Sequence, residues 1–447
     1  MKILFISLGC DKNLVDSEVM LGMLTSKGYE ITDDENEADV VVVNTCCFIG
    51  DAKEESIHNI LEMAELRKAG DIKALIVTGC LAQRYKEEVQ TEIPEVDAII
   101  GTTAIDAIVE TLEDVLAGQG HNHIEDINST PVYDKSRIVT TGGHYAYLKI
   151  AEGCDKRCSY CIIPKVRGNY RSIPMESLLA EARKLVEFGA KELILVAQET
   201  TLYGKDLYGE KSLPRLLHEL CKIDGLYWIR ILYCYPEEIT DELIETIRTE
   251  EKVCHYLDIP IQHASDNILK RMGRRTNQAE LRNMIARLRE RIPDICLRTT
   301  LITGFPGETQ EDHEELMAFV DEMEFDRLGV FTYSAEEDTP AAEFEDQIEE
   351  EIKKDRQAEI MELQQEISFD FEADCVGEKL LVMIEGYLPD EHAYVGRTYM
   401  DAPGIDGYIF IKSGEALMSG DFAEAVVTGS DEYDLIGEIK DENELTK

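Results

Sequence analysis

Basic residues are scarce in this chain of 447 residues. Its 45 Lys and Arg face 91 Asp and Glu, a formal net charge of −46 at pH 7. Proteins that grip nucleic acid normally show a basic stripe that neutralises phosphates and releases counterions. The balance therefore argues against a phosphate-backbone binder and for a basic partner, or simply a well-solvated surface. Long apolar runs are also missing: none approaches the roughly 18 residues that a bilayer span requires. The opening run Met1–Cys10 carries one Lys before an apolar stretch at the short end for a signal peptide, and the residues after Cys10 have helix-like spacing. It reads as a buried first strand, and a cytoplasmic protein with no membrane contact is expected. Low-complexity and fibrous segments are absent as well, and 44% hydrophobic with 30% charged residues is the composition of a soluble globular protein.

What is present is an α/β pattern long enough for two to four domains. Over 1–118, apolar runs at Lys2–Leu8, Val40–Asn44, Ala74–Thr78 and Ala98–Ile100 alternate with helical spacing at Leu14–Lys27, Ala52–Arg67 and Ile105–Ala117. This predicts an open parallel sheet with ligands at the carboxyl ends of its strands. A polar, Gly-punctuated stretch over 119–143 reads as a linker, and its His121 and His123 as solvated surface. Within a middle domain expected over 144–371, six strand-then-helix units run from Tyr145 to Ser334, with strands near Tyr147–Ile150, Glu192–Ala197, Trp228–Tyr233, Tyr256–Ile261, Ile295–Ile302 and Arg327–Tyr333. Six units make an incomplete version of the eight-unit barrel, whose chemistry sits at the carboxyl ends of its strands. Ile348–Phe371 has the spacing of a charged connector helix. Five short strands over 375–440 then suggest a small β-barrel.

Twelve cysteines in a cytoplasmic chain call for metal binding or catalysis rather than disulfides. Cys154, Cys158 and Cys161 form Cys-x3-Cys-x2-Cys directly after the first barrel strand. Three thiolates hold three irons of a cubane cluster and leave the fourth open to another molecule. Structural zinc usually wants a fourth ligand, and no second cysteine pair lies nearby. Cys10, Cys46 and Cys80 have no local spacing, but each ends an expected strand, so one sheet edge would gather them. Three small buried hydrophobes are the plainer reading of that second triad.

The segment Cys154-x3-Cys158-x-Tyr160-Cys161 at a barrel's first strand resembles the radical-SAM superfamily. The two triads together resemble the methylthiotransferases, through Ser7-Leu-Gly-Cys10-Asp-Lys-Asn13, Asn44-Thr-Cys46, Thr78-Gly-Cys80, Asp258–Ser265, Leu269–Arg274 and Ile302–Thr309. The resemblance covers nearly the whole chain. It implies two 4Fe-4S clusters, one on each triad, and S-adenosylmethionine bound at the Cys154 cluster with Tyr160 against its adenine. One molecule of S-adenosylmethionine would be cleaved to abstract hydrogen, and another would methylate sulfur at the Cys10 cluster. It also implies a TRAM domain at 375–440 that docks the substrate, a low-potential electron donor such as flavodoxin or ferredoxin, and a sulfur source. No side chain is expected as catalytic acid or base, because a base of near-neutral pKa does not remove an unactivated C–H proton.

Within the family, Asp401-Ala-Pro-Gly-Ile-Asp-Gly407, Cys46-Cys-Phe-Ile49 and Gln198–Gly204 resemble the branch that modifies an aspartate of ribosomal protein uS12. The 16 acidic and 5 basic residues over 375–447 suit a basic ribosomal protein better than RNA. The rival readings are a tRNA adenosine methylthiotransferase and a non-catalytic iron-sulfur carrier or scaffold. Gly304 and Gly307 are expected to let backbone approach the cofactor, although a tight turn also explains them. Arg298 is read either as a partner for the carboxylate of S-adenosylmethionine or as a surface residue. Asp401 and Asp406 are expected in an exposed loop, docking substrate through charge or merely shaping a turn. Four residues depart from the branch's usual pattern: Asp11, Cys47, Ile173 and Glu199.

Overall fold

The computed structural model describes residues 1–439. The chain begins with a five-stranded parallel sheet built from β1 (Lys2–Ser7), β2 (Glu30–Thr32), β3 (Val40–Thr45), β4 (Ala74–Gly79) and β5 (Ala98–Ile100), in the order β2-β1-β3-β4-β5. The runs that fill β3 and β4 are buried along their whole length, as strands covered on both faces must be. Apolar periodicity misses β2. Its Glu-Ile-Thr is a short polar edge strand with no apolar run to announce it.

Residues 119–143 are no free linker. Ile138 N–H donates to the Glu18 carbonyl, and Arg137 pairs with Glu18 and Glu181 while donating to the Tyr147 carbonyl. The strap lies so close to the helix Asp11–Ser26 that a Cβ on Gly22 would stand 2.4 Å from the Ser136 carbonyl oxygen. Polar composition misleads here because the strap's contacts are themselves polar.

The middle of the chain forms a six-stranded, all-parallel arc. Its first strand is β6 (Tyr145–Lys149), followed by a two-residue antiparallel ladder of β7 (Ala151–Glu152) and β8 (Arg171–Ser172). The arc continues with β9 (Glu192–Val196), β10 (Trp228–Ile231), β11 (Val253–Asp258), β12 (Cys296–Thr303) and β13 (Arg327–Thr332), in the order β6-β9-β10-β11-β12-β13. The helix Glu350–Asp374 packs beside β13 and leads to a closed five-stranded barrel of β14 (Lys379–Leu388), β15 (Ala393–Arg397), β16 (Ile409–Lys412), β17 (Phe422–Asp431) and β18 (Asp434–Glu438). The expected last residue of that module, Lys440, lies outside the described residues.

Successive side chains of a strand point to opposite faces, and in the arc the two sets enter different cores. Leu193, Leu195, Ile229, Ile231, Leu257 and Leu297 pack with the flanking helices. Ile194, Val196, Trp228, Cys254, Tyr256 and Cys296 share a core with Val382, Ile384, Ile409 and Val427 of the small barrel. The small barrel therefore covers the inner face of the arc. Charge locks it there: Arg397 bridges Glu192 at 2.7 Å and Glu385 at 2.6 Å, and Arg230 meets Glu192 at 2.7 Å, with the side chains of Glu192, Arg230 and Arg397 fully buried.

This docking overturns the expectation for Asp401 and Asp406. Asp401 is 2% exposed and accepts from Arg327 at 2.8 Å and from the Thr398 hydroxyl. The Asp406 side chain is 1% exposed and accepts from the Tyr256 hydroxyl at 2.7 Å, from Arg298 at 3.2 Å and from the Ala402 amide. Their Gly/Pro-rich loop does turn, but it turns inward against the arc, where arginines need partners.

Two consequences can be measured. Asp401→Ala removes the closer carboxylate beside Arg327 and leaves only Glu372, 3.7 Å away, and breaking a buried pair from one side costs up to about 3–5 kcal/mol. Denaturant unfolding is expected to show a loss of that order, whereas an exposed docking aspartate would leave stability unchanged. Glu372 is buried beside Arg327 with neither carboxylate oxygen hydrogen-bonded, and burial pushes its pKa up to about 7. The folded state then holds this proton more tightly than the unfolded chain, so stability is full below about pH 4.5 and falls as pH rises through about 7. Unfolding across that range is expected to show wild type losing stability relative to Glu372→Gln.

Candidate two-cluster active site

Cys10, Cys46 and Cys80 stand at the carboxyl ends of β1, β3 and β4, adjacent strands of one sheet. Cys10 is exposed, while Cys46 and Cys80 are buried. The strand ends are drawn together tightly: a Cβ on Gly9, at φ +86°, would lie 2.6 Å from the Cys46 Cβ. Asn13 Nδ2 donates to the carbonyls of Leu8 and Thr45, stitching two of the turns together. Ser56 both accepts from the Cys46 amide and donates to its carbonyl.

Burial, reinforced by the neighbouring Cys80 and Cys10 sulfurs, pushes the Cys46 thiol up to about 12. Burial also raises Cys80, and the Arg167 guanidinium, whose Nε–H donates to its Sγ at 3.3 Å, opposes that rise. Three thiols whose negative charges would repel one another need a cationic group before all can ionise. Cys47 follows Cys46 but turns inward, beside Cys80. It is fully buried in the first domain's core, and burial raises its thiol well above the ordinary range.

The second triad lies on the loop between β7 and the helix Ile163–Val166. Gly153 opens the loop at φ +79°, where a Cβ would meet the Asn169 carbonyl oxygen at 2.1 Å. Cys154 N–H donates to Gly168, Ser159 N–H to Met272, and the Ser159 hydroxyl to the Arg271 carbonyl. Cys154 and Cys158 are buried and Cys161 half-buried; burial pushes the Cys154 thiol up to about 11 and that of Cys161 higher. The Tyr235 hydroxyl stands 3.7 Å from the Cys158 sulfur, and Arg274 covers the Tyr235 ring at 4.4 Å. Tyr160 packs edge-on to Phe305, within a cluster that includes Tyr333 and Phe344.

The two edges face each other. Lys12, two residues beyond Cys10, sits 3.3 Å from the centre of the Tyr233 ring just beyond β10, and the Tyr233 hydroxyl donates to Asp11 at 3.0 Å. Tyr233 holds φ +58°, a backbone state that costs energy in a bulky residue and collects at functional sites. Glu199, beyond β9, is fully buried with one oxygen unpartnered, 3.7 Å from Lys156; burial pushes it up to about 7.

Three expected cofactor contacts have other partners. Arg298 pairs with Asp258 at 3.1 Å and Asp406 at 3.2 Å. A Cβ on Gly304 would strike Lys353 at 2.2 Å, and one on Gly307 would meet Asp346 at 2.5 Å and Arg271 at 2.7 Å. Packing of this chain on itself, together with positive φ, requires those glycines. Ile173 fills the barrel core at 3% exposure. Sequence reasoning passes over Lys12, Arg167, Tyr233 and Tyr235. Lys12 lies within a motif of the family, but nothing local to the others signals their role, because their partners are distant in the chain.

The donor set suits iron-sulfur chemistry. All twelve cysteines are free. Among the described residues no three His, Cys, Asp or Glu side chains converge on one metal ion. A cubane makes no such demand, because each thiolate binds a different iron.

A parallel β/α arc with Cys-x3-Cys-x2-Cys after its first strand, faced by a second thiol edge, defines the radical-SAM class with an added cysteine domain. Models of known families agree: the uncharacterized protein family UPF0004 matches residues 2–101, the radical SAM superfamily 148–320 and the TRAM domain 376–439. The ribosomal protein uS12 methylthiotransferase RimO of Lachnoclostridium phytofermentans is 64% identical over 437 residues, covering 98% of this chain and 99% of that one. The RimO of Thermoanaerobacter sp. is 51% identical over 436 residues, covering 97% and 98%. The chain belongs to the ribosomal protein uS12 methylthiotransferase family. Among solved structures, the radical S-adenosylmethionine methyltransferase TsrM of Kitasatospora setae shares the fold at TM-score 0.53 and 15% identity, over 74% of this chain and 72% of that one. The cobalamin-dependent S-adenosylmethionine radical enzyme OxsB does so at TM-score 0.54 and 14% identity, over 82% and 56%.

If each triad holds its own cluster, replacing Cys154, Cys158 and Cys161 together with Ala is expected to remove about half the iron of anaerobically reconstituted protein. Iron and sulfide analysis checks this; loss of all the iron in a folded variant would contradict independent sites.

Proposed function

We propose that this chain replaces a hydrogen on the β-carbon of an aspartate of ribosomal protein uS12 with a methylthio group. The observation that carries the reading is the pair of thiol triads, each at the carboxyl edge of its own parallel sheet and turned toward the other. Cys10, Cys46 and Cys80 would hold one 4Fe-4S cluster, and Cys154, Cys158 and Cys161 the other. When bound, the latter with S-adenosylmethionine supplies the radical that removes hydrogen, and the former supplies sulfur for methylation and transfer.

The protein's own contribution is position and dryness. Tyr160, set among aromatic rings near Cys158, offers a face for an adenine. Tyr235 and Arg274 wall the Cys158 side. Lys12 and Asp11 fasten the Cys10 turn to Tyr233, so the carbon that loses hydrogen need not travel to meet sulfur. Burial of Cys46, Cys80, Cys154 and Cys158 keeps water from the inner side of each triad, which protects a reactive carbon from side reactions. A low-potential electron donor, such as a flavodoxin or ferredoxin, and an external sulfur source complete the reaction. Domain limits near 118, 143 and 371 belong to the same reading.

With purified uS12, S-adenosylmethionine, sulfide and a strong reductant, the mass of uS12 is expected to rise by one SCH3-for-H exchange. The Cys10/Cys46/Cys80 triple Ala variant should lose that product yet still cleave S-adenosylmethionine reductively. Unchanged uS12 alongside methylthiolated nucleoside in tRNA would move the substrate to RNA.

A further inference from the structure

Among the described residues, Arg167 is the one side chain that reaches from the segment bearing one triad to a sulfur of the other. Its backbone belongs to the segment bearing Cys154, Cys158 and Cys161: its N–H donates to Ile163, and the next carbonyl, of Gly168, accepts from Cys154 N–H at 3.1 Å. Its guanidinium crosses to the first domain. Nε donates to Cys80 Sγ at 3.3 Å, Nη1 to Asp16 at 2.6 Å and to Glu152 at 3.3 Å, and Nη2 to Asn13 at 2.9 Å. The side chain is 2% exposed.

The charges around it already close. Lys149 pairs with both Asp16 and Glu152, so two cations meet two carboxylates in a buried, balanced group. Two carboxylates and an amide fix the Nη atoms of a planar fork, and that fixes where Nε–H points. It points at a sulfur. Among the described residues no lysine or arginine side chain donates to Cys154, Cys158 or Cys161, so the two triads differ in this respect.

We propose that Arg167 is a positioning residue that raises the reduction potential of the cluster on Cys10, Cys46 and Cys80. The inference rests on the assignment of a cluster to that triad. One-electron reduction by a low-potential donor places the added negative charge on iron and sulfur together and takes up no proton. A charged N–H donor on a ligand sulfur stabilises the reduced form more than the oxidised one, and hydrogen bonds to sulfur are among the terms that set such potentials. Burial keeps water from screening the interaction. The same guanidinium ties that potential to correct docking of the radical-SAM loop, because the donor belongs to the other domain.

The test uses full-length protein with Cys154, Cys158 and Cys161 replaced by Ala, so that only the first-domain cluster gives a signal. Its potential is read by an anaerobic dithionite titration followed by electron paramagnetic resonance. Two variants are compared in this background: Arg167→Lys, which keeps the charge but not the Nε–H, and Arg167→Met combined with Asp16→Asn, which removes the donor while keeping the charge balanced. The expected result is a shift to lower potential in both, larger in the double variant, at unchanged iron content. Equal potentials in all three, with iron retained, would overturn the proposal and leave Arg167 a structural staple. If the double variant does not fold, Arg167→Lys decides by the same criterion. Failure of the parent protein to hold iron would instead refute the cluster assignment and take the inference with it.

Discussion

A buried group of four charges, Arg167, Lys149, Asp16 and Glu152, holds the carboxyl edge of the first sheet against the mouth of the barrel arc. Both triads depend on it. Each carboxylate is shared by two cations, so no charge is left uncompensated when water is withdrawn, and the loss of any one member would leave a buried charge unpaired. Arg167, Lys149 and Glu152 come from the radical-SAM segment and Asp16 from the first domain, so the group forms only when the two domains meet. The apolar contact beside it has the same character: Ile162 and Val166, from the cysteine loop and the helix after it, lie in the core of the first domain with Cys47 and Cys80.

The other end of the arc is governed by the two-residue alternation of its strands. An eight-strand barrel fills its interior with its own side chains, but six strands in an open arc leave an inner face to be covered. The small β-barrel covers it with Val382, Ile384, Ile409 and Val427, and the ion pairs of Arg397, Arg298 and Arg327 fix the angle. Its acidity is therefore divided. Asp401 and Asp406 are spent on internal arginines, and any attraction to a basic partner falls to the exposed acidic residues of its other faces.

A good part of this molecule was legible from residue order. Parallel strands in α/β proteins are buried runs of Val, Ile and Leu, and such runs at Val40–Thr45, Ala74–Gly79 and Glu192–Val196 announced themselves. The Cys154 loop was legible because its three thiols lie within eight residues, and the placing of Cys10, Cys46 and Cys80 because carboxyl ends of neighbouring parallel strands share one edge. The edge strand Glu30–Thr32 and the packed strap over 119–143 were not, since polar residues making specific contacts look like polar residues facing water.

What the sequence by itself determined was the order of elements, the thiol spacing and the family, all of which depend on local periodicity or on matched motifs. Tertiary structure alone decided where the charges go. Asp401 and Asp406 stand in a loop of turn-forming composition yet face inward, Arg298 turns to Asp258 and Asp406, and Gly304 and Gly307 make room for Lys353, Arg271 and Asp346. Arg167 carries no local sign of its reach to Cys80, 87 residues earlier. A buried charge is stable only where an opposite one meets it, and that meeting is set by how the domains dock, which no window of sequence contains.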